Sequence, residues 1–311
     1  MTIDVIIPVY KPGKELLELI SILAEQTVRV SRIILMNTEQ ALFEAFLADA
    51  GLTQEQFALQ YPLTEVHHLT KEEFDHGNTR REGVMKSHAE VFLMMTQDAL
   101  PADNRLIEQL VGMLTDKVAA AYARQLPRED CHIMEKYMRS FNYPDQSRVK
   151  SMEDVPELGI KTFFCSNVCA AYKRAIYEEV GGFVGNTIFN EDMIYAATAM
   201  KAGYKVAYAA QAEVIHSHNY TNGQQFHRNF DLGVSQAQYP EVFAGVTSES
   251  EGKKMVLQTM GYLIKSGRPL TVFRLVAQTC SKYAGYLLGK HYESLPRSWV
   301  IAFSDNKQYW K

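Results

Sequence analysis

An acidic pair, Glu191-Asp192, opens a helical pattern and marks the stretch of this sequence where we expect the chemistry to lie. Apolar residues such as Ile194 and Ala197 recur behind the pair at helical spacing, and Gly203 ends the pattern. Capping is the simplest interpretation of the pair, because the helix dipole favours carboxylates at this end. A functional role becomes the better interpretation if other polar residues converge on the same place.

Polar side chains do follow three of the predicted strands, at the point where each strand ends. Short apolar runs rich in β-branched residues predict those strands, at 3–9, 30–36, 66–69 and 91–95. Apolar residues at helical spacing predict helices between them, at 14–26, 40–50 and 78–88. This alternation predicts a mostly parallel α/β sheet, and ligands of such sheets bind outside the carboxyl ends of the strands. Three polar clusters fall at that edge: Tyr10-Lys11, Asn37 to Glu39, and Gln97-Asp98.

The sequence has no glycine loop of the kinds that cradle phosphates. Neither GxGxxG after the first strand nor GxxxxGK[ST] anywhere is present. A bound nucleotide would need its phosphates neutralised in another way, and a metal ion held by Asp98 would do so. An exposed turn aspartate is the alternative for Asp98. Further along, short patterns predict two separate strands at 206–208 and 214–215, the second leading into His216-Ser217-His218.

Composition is that of an ordinary soluble globular protein, with 47% hydrophobic and 22% charged residues in 311. That length predicts one large domain, or one domain with an appendage. The opening residues lack a basic and apolar signal sequence, and no apolar run approaches the ~20 residues that span a bilayer. The four cysteines show no CxxC spacing. We therefore expect reduced thiols and a cytoplasmic location.

The C-terminal part is strongly basic on an acidic body. Residues 253–311 contain ten Lys or Arg and two acidic residues, whereas the whole chain has a net charge of −4. Helical patterns at 255–264 and 270–288 carry apolar residues among the basic ones, including Leu270, Phe273, Ala277, Tyr283, Leu287 and Leu288. This pattern fits either a helix lying in the interface of an anionic membrane or a face that packs on the body or pairs with another subunit as a homodimer. The aromatic residues do not form an exposed stacking array, so we do not expect nucleic acid as a partner.

Taken together, these residues resemble the family 2 glycosyltransferases with the GT-A fold, and most closely the bacterial rhamnosyltransferases. The resemblance covers essentially the whole chain. The matching stretches are VIIPVYKPGKEL near the start, FDHGNTRREGV at 74–84, FLMMTQDALP at 92–101, FCSNVCAAYKRAIYEEVGGF at 164–183, NEDMIYAATAMKAGYKVAY at 190–208 and VIHSHNY at 214–220. It implies a GT-A domain over 1–225, with a Rossmann-like mixed, mostly parallel sheet flanked by helices, and a basic helical extension over 226–311.

The resemblance also implies a set of residues that bind a nucleotide-diphosphate sugar. They are Pro8, Val9 and Tyr10 around the nucleobase, Asn37 and Glu39 near base or ribose, Asp75 and Arg80 over ribose and diphosphate, Gln97 and Asp98 at the metal-binding motif, and Ser166 and Asn167 facing the donor sugar. The second of these loops reads MNTEQ, without the Asp and Gly-Ser of many relatives. The choice of nucleobase is therefore open at this stage.

A divalent metal ion, Mg²⁺ or Mn²⁺, is the cofactor that the resemblance implies. Gln97-Asp98-Ala99 occupies the position of the family's DxD motif with one acid instead of two. This departure predicts weaker metal binding, or help from His216 or His218. A histidine at a strand end is usually structural, so the structural and metal-binding interpretations of these two residues stay open together.

Asp192 matches the catalytic base of inverting family members, and Glu191 beside it would help by capping or by contacting the acceptor. The resemblance implies transfer of L-rhamnose from dTDP-β-L-rhamnose to a saccharide acceptor carried on a lipid, at the inner face of the cell membrane. A UDP-sugar donor, carrying glucose, galactose or galactofuranose, is the first alternative. A non-catalytic scaffold subunit with the same fold is the second, because the metal motif has a single acid.

Overall fold

The computed structural model describes residues 1–244 and 249–311, and within them nine strands form one sheet flanked by helices. The strands are β1 Ile3–Tyr10, β2 Arg32–Thr38, β3 Thr64–Leu69, β4 Val91–Met95, β5 Leu100–Pro101, β6 Val118–Leu126, β7 Arg148–Lys150, β8 Cys169–Lys173 and β9 Lys205–Ile215. The helices of the sheet-forming part are α1 Lys14–Ala24, α2 Gln40–Asp49, α3 Gln54–Gln60, α4 His76–Lys86, α5 Leu106–Gly112, α6 Ile133–Asn142, α7 Val155–Leu158, α8 Arg174–Glu179 and α9 Glu191–Lys201. The remaining helices are α10 Asn222–Gln238, α11 Pro240–Phe243, α12 Glu249–Lys265, α13 Thr271–Lys290 and α14 Arg297–Phe303.

The sheet is mixed, in the order β3-β2-β1-β4-β8-β6-β9-β5, with β7 paired to β9. Its first half, β3-β2-β1-β4, is parallel, whereas β8 runs antiparallel to both of its neighbours. Strand β2 lies on one side of β1 and strand β4 on the other, so the order of the strands reverses at β1. A crevice forms outside the carboxyl ends of parallel strands at such a reversal of order, and ligands of α/β sheets bind there. The predicted mixed α/β sheet is confirmed.

Apolar layers on both faces explain why the N-terminal strands read as continuous apolar runs. Side chains alternate along β1, so Val5 and Ile7 face a core with α1 and α2, whereas Ile6 faces the core beneath α4 and α9. All three are fully buried. Burial of each such side chain adds roughly 1.5–3 kcal/mol to the free energy of unfolding, relative to an exposed side chain. The strand ends that carry the polar clusters are thereby held on a rigid support.

The prediction of two separate strands at 206–208 and 214–215 is wrong, because one strand, β9, runs through Lys205–Ile215. A register shift against β6 lies between Ala209 and Glu213, and it absorbs the segment that broke the apolar pattern. Strand β6 also escaped prediction. Its sequence, VAAAYARQL, is rich in alanine, which has little preference for strands, and it forms here because β8 and β9 pair with it on both sides.

Helices α10 and α13 pack so closely that glycines form the contact. A Cβ atom at Gly285 would lie 2.3 Å from the carbonyl oxygen of Phe226, and one at Gly289 would lie 2.1 Å from that of Phe230. The backbone of α13 therefore rests directly on α10. The predicted boundary between 225 and 226 falls inside α10, and the division into a domain and an extension stays a prediction.

The opposite side of α13 carries apolar side chains that the protein leaves uncovered. Leu270 and Phe273, at its start, are 79% and 76% exposed, and Val276 and Tyr283 are about half exposed. Arg274 and Lys290 are exposed on the same helix. In the described ranges, no helix is both long and apolar enough to cross a membrane.

Candidate active site at the carboxyl edge of the sheet

The acidic pair stands at the first turn of α9, where Asn167 holds both carboxylates. The Asn167 backbone N–H donates to Asp192 Oδ2 at 2.9 Å, and its side-chain Nδ2 donates to Glu191 Oε1 at 3.0 Å. Its Oδ1 accepts from the buried Tyr172 hydroxyl at 2.7 Å, which fixes the amide. Its side chain lies against the pair, and the predicted role of Asn167 in facing the donor sugar stays a prediction. The turn itself is tied down by Asn190, which has φ of 66° and donates to Ser235 on α10.

The two carboxylates have different environments and therefore different acidities. Glu191 is buried with Arg80, whose Nε lies 3.3 Å from Glu191 Oε1. Burial opposes its ionisation, but the charges of Arg80 and His76 and the Asn167 bond outweigh that and lower the pKa of Glu191. For Asp192, burial and then the adjacent Glu191 charge raise the pKa to about 7. Asp192 is thus poised to exchange a proton near neutral pH, while Glu191 remains an anion.

Asp98 meets His216 and His218 at the ends of β4 and β9. One oxygen or nitrogen atom from each residue lies within 4.8 Å of the others. Both imidazoles approach Asp98, with His216 Nε2 3.6 Å and His218 Nε2 3.3 Å from its carboxylate oxygens. The two Nε2 atoms are 3.1 Å apart. Ligand atoms bound to one metal ion at about 2.1 Å have separations of this size.

Gln125, at the end of β6, sets the orientation of His216. The amide oxygen of Gln125 accepts from Arg139 Nη1, and its Nε2 donates to the Ser166 hydroxyl at 3.0 Å. Since that oxygen can only accept, His216 Nδ1, 3.1 Å away, carries the proton and leaves Nε2 free. Burial, the largest cause, lowers the pKa of His216 to about 3. Two neutral imidazoles and a carboxylate therefore form a three-ligand site that fits a divalent metal ion.

A cavity of about 310 Å³ lies outside the ends of β1 and β2, in the crevice of the parallel half of the sheet. Tyr10 and Thr38 line it from the sheet, Phe74 and His76 from the start of α4, and Arg228 from α10. Ligand cavities in proteins begin at about this volume. Among the residues predicted to bind the nucleotide, only Tyr10 lines this cavity.

The other predicted donor residues do not line this cavity, and most of them have contacts within the protein. Val9 is buried in the core, and Pro8 precedes it on β1. Buried Asn37 donates to the carbonyl of Glu39, and Glu39 accepts from the Lys71 N–H. Three further residues connect loops of the site by hydrogen bonds. Asp75 caps α4 and accepts from the Asn186 backbone N–H, and Gln97 makes two hydrogen bonds to the backbone of Tyr10. The Ser166 hydroxyl accepts from Gln125. Their roles toward a donor stay predictions.

Arg228 is a candidate functional residue that the sequence analysis missed. Its guanidinium lies over the rings of Phe189 and Tyr220, and no carboxylate in residues 1–244 or 249–311 forms an ion pair with it. The ring of Tyr220 connects Arg228 to the metal-ligand cluster, because its centroid lies 4.8 Å from the Arg228 guanidinium and 5.0 Å from the centroid of the His218 ring. A free cation next to the metal-ligand cluster suits an anionic ligand. The sequence signal that could have located Arg228 is the helical pattern of residues 222–238, in which it lies.

A second and larger cavity, of about 690 Å³, adjoins the same cluster through Tyr220 and Arg139. Burial lowers the pKa of Lys282, which reaches it from α13 and has no ion-pair partner in the described ranges. The cavity shares with sugar-binding sites a wall of aromatic rings, here Tyr122, Phe141, Tyr143, Phe164, Tyr208 and Tyr220.

Comparison with known proteins identifies the family. The sequence profile described as Glycosyl transferase family 2 matches residues 4–181, which is more than half of the chain. The chain belongs to glycosyltransferase family 2. Two curated relatives of this family 2 glycosyltransferase are O-antigen chain rhamnosyltransferases of Salmonella. RfbN of Salmonella typhimurium is 39% identical over all of this chain and 96% of its own length, and WbaN of Salmonella anatum is 41% identical over 78% of each chain.

Solved structures show that the fold of this family 2 glycosyltransferase is of the GT-A type, as predicted. The mannosyltransferase PcManGT from Pyrobaculum calidifontis, in complex with GDP-Man and Mn²⁺, aligns with a TM-score of 0.56 at 14% identity, covering 99% of this chain and 84% of its own. GalNAc-T7 with UDP, GalNAc and Mn²⁺ aligns with a TM-score of 0.52 at 15% identity, covering 87% and 58%. These likenesses concern the fold alone.

The three-ligand site predicts direct binding of Mn²⁺ without any nucleotide. Changing His218→Ala or Asp98→Ala removes a ligand, and Gln125→Ala releases the orientation of His216, so each should weaken binding at least about tenfold. Titration of Mn²⁺ followed by electron paramagnetic resonance measures this. The exposed His88 provides a matched control, since His88→Ala should change nothing. Full affinity in His218→Ala would remove His218 from the site.

Proposed function

We propose that this family 2 glycosyltransferase transfers L-rhamnose from dTDP-β-L-rhamnose to a hydroxyl group of a saccharide acceptor during assembly of a cell-surface polysaccharide. One observation carries the choice of sugar. Two relatives named as O-antigen chain rhamnosyltransferases match at 39% and 41% identity over most of their lengths. The acceptor is proposed to be lipid-linked, and the enzyme to act in the cytoplasm at the inner face of the membrane.

The donor is proposed to lie across the smaller cavity and the metal-ligand cluster. Its nucleoside would occupy the space between Tyr10 and Thr38, and its diphosphate would face Arg228. Asp98, His216 and His218 would hold the metal ion, which would neutralise charge on the departing diphosphate. Two imidazole nitrogens with one carboxylate suit Mn²⁺ better than Mg²⁺, because Mg²⁺ prefers oxygen ligands.

Asp192 is the proposed general base. The acceptor hydroxyl oxygen attacks the anomeric carbon while its proton passes to the Asp192 carboxylate, and the bond to the diphosphate breaks with both electrons leaving on the nucleotide. A single displacement inverts the anomeric centre, so a β-linked donor gives an α-rhamnoside. Asn167 would orient the carboxylate, and the Glu191–Arg80 pair would keep a proton from reaching Glu191 instead. The acceptor is proposed to enter through the larger, aromatic cavity.

Binding of nucleotide sugars tests the donor assignment. A ligand that binds only the folded enzyme stabilises it by mass action and so raises its melting temperature. At a ligand concentration of one hundred times the Kd, the free energy of unfolding increases by about 2.7 kcal/mol. We expect stabilisation by dTDP-rhamnose and dTDP, stronger with Mn²⁺ than with EDTA. A response to UDP-glucose, UDP-galactose or UDP-galactofuranose in its place would keep the transferase and change the donor. No response to any nucleotide would favour the scaffold interpretation.

Loss of the base should abolish transfer while donor binding survives. Asp192→Asn should lower kcat by about 10²- to 10⁴-fold. In the wild type, kcat/KM should fall as the pH drops through about 7, because the raised pKa leaves Asp192 protonated below that point. Initial rates across pH 5.5–9 measure both effects. Asp116 lies on an exposed turn, so the control Asp116→Asn should behave as the wild type. Near-normal turnover by Asp192→Asn would exclude Asp192 as the base.

Peripheral contact with anionic lipid is proposed for the uncovered face of α13. Exposed Leu270 and Phe273 beside Arg274 suit a membrane interface, where each basic side chain adds roughly 1 kcal/mol. Sedimentation with phosphatidylglycerol vesicles should recover the protein, whereas phosphatidylcholine vesicles should not. Phe273→Glu should reduce recovery several-fold, while Leu59→Glu, at an exposed leucine of α3, should not. Concentration-dependent dimers sensitive to Phe273→Glu, without vesicle binding, would instead indicate subunit pairing.

A further inference from the structure

We infer that residues 304–308, here called the tail segment, form one wall of the donor cavity, and that Gln308 and Asn306 bind the nucleoside of the donor. This inference rests on the proposed function, because it takes the ligand of the smaller cavity to be a nucleoside diphosphate. No part of the sequence pattern places the tail segment near Tyr10 and Thr38, which precede Asp305 by 295 and 267 residues. The cavity itself joins them.

Residues from both ends of the chain line the same space. Tyr10 and Thr38 line the cavity from the ends of β1 and β2, and Asp305, Asn306 and Gln308 line it from the tail segment. Asp305 is exposed, and the other two tail residues are half-buried. A ligand that fills this cavity at the ends of β1 and β2 would therefore also contact the tail segment.

The tail segment is fixed to α10 by a buried carboxylate. Asp231 Oδ2 accepts from the backbone N–H groups of Asp305 at 2.9 Å and Asn306 at 3.2 Å. Asp231 is 3% exposed and lines the cavity itself. It stands one helical turn after Arg228, so one helix carries both the anchor of this wall and the free cation beside the metal-ligand cluster.

Apolar packing and further hydrogen bonds hold the residues that follow. Tyr309 and Trp310 pack against a cluster that includes Phe230 of α10 and Phe189 of the loop before α9. The Tyr309 hydroxyl donates to Gln238 Oε1 at 3.2 Å, and Arg297 donates to the carbonyl of Trp310. The wall is thus part of the folded body, and its position is set before any ligand arrives.

The chemistry of the lining matches a nucleoside. A nucleobase and a ribose present both hydrogen-bond donors and acceptors, and the carboxamides of Asn306 and Gln308 offer both in return. The ring of Tyr10 is exposed and available for stacking. The hydroxyl of Thr38 is buried at the cavity and has no hydrogen-bond partner among the described residues. Asp305 would repel phosphate, which directs the diphosphate toward Arg228 and the metal-ligand cluster.

Gln308 is the sharper test residue, because Asn306 also caps the backbone N–H of Tyr309. Isothermal titration of dTDP into the Mn²⁺-supplied enzyme should give a Kd about 3- to 10-fold higher for Gln308→Ala, the loss of one hydrogen bond. In steady-state assays the KM for the donor should rise by a similar factor, with kcat at saturating donor and the KM for the acceptor unchanged. Lys307→Ala is the matched control, since Lys307 is exposed in the same segment and does not line the cavity.

The outcomes separate this inference from the proposed function. Equal dTDP affinity in the wild type, Gln308→Ala and Asn306→Ala would overturn the inference while leaving the transferase intact. An equal loss in Lys307→Ala would also overturn it, because the effect would then come from general disturbance of the segment. Failure of the wild type to bind any nucleotide would instead count against the proposed function. Thermal melting of each variant verifies that it is folded.

Discussion

Burying two adjacent carboxylates is the constraint on which the site depends. Two neighbouring acids in one buried turn repel each other, and each loses hydration, so both cannot ionise without compensation. The protein compensates Glu191 with Arg80 and Asn167, whereas Asp192 accepts two backbone N–H bonds and forms no ion pair within residues 1–244 and 249–311. The difference in acidity between the two groups follows from that unequal supply.

Several strand ends must meet for that poised carboxylate to be useful, and the mixed sheet brings them together. Asp98 follows β4, His216 follows β9 and Gln125 ends β6, and they come into contact because β8 reverses direction between β4 and β6. Gln125 connects this cluster to Ser166, one residue before Asn167. The metal ligands and the acidic pair are therefore connected through the hydrogen-bonded Gln125 and Ser166 side chains and the backbone from Ser166 to Asn167, and the fold fixes their relative positions.

Much of the parallel half of the fold could be predicted from the sequence, because its strands are covered on both faces and read as continuous apolar runs. The helix that begins at Glu191 was also visible, as was the approach of His216 and His218 to Asp98, once the resemblance had been recognised. Strand β6 was not visible, since its alanines form a strand only when paired on both sides. Asn167 shows the limit for the site. The resemblance implied a donor contact for it, which stays a prediction. Its bonds to Glu191 and Asp192 of α9 were not predicted, because a contact between distant segments leaves no periodic signal.

The glycine contact between α10 and α13 has a mechanical consequence. Packed helices usually slide past one another across a layer of side chains that can change rotamer, and this shear is a common form of domain motion. At Gly285 and Gly289 no such layer exists, because backbone meets backbone. We therefore expect α13 to move as one unit with α10, which carries Arg228 and Asp231. A partner that binds the uncovered face of α13 would therefore be coupled, through the α10–α13 contact, to the α10 residues that line the cavity.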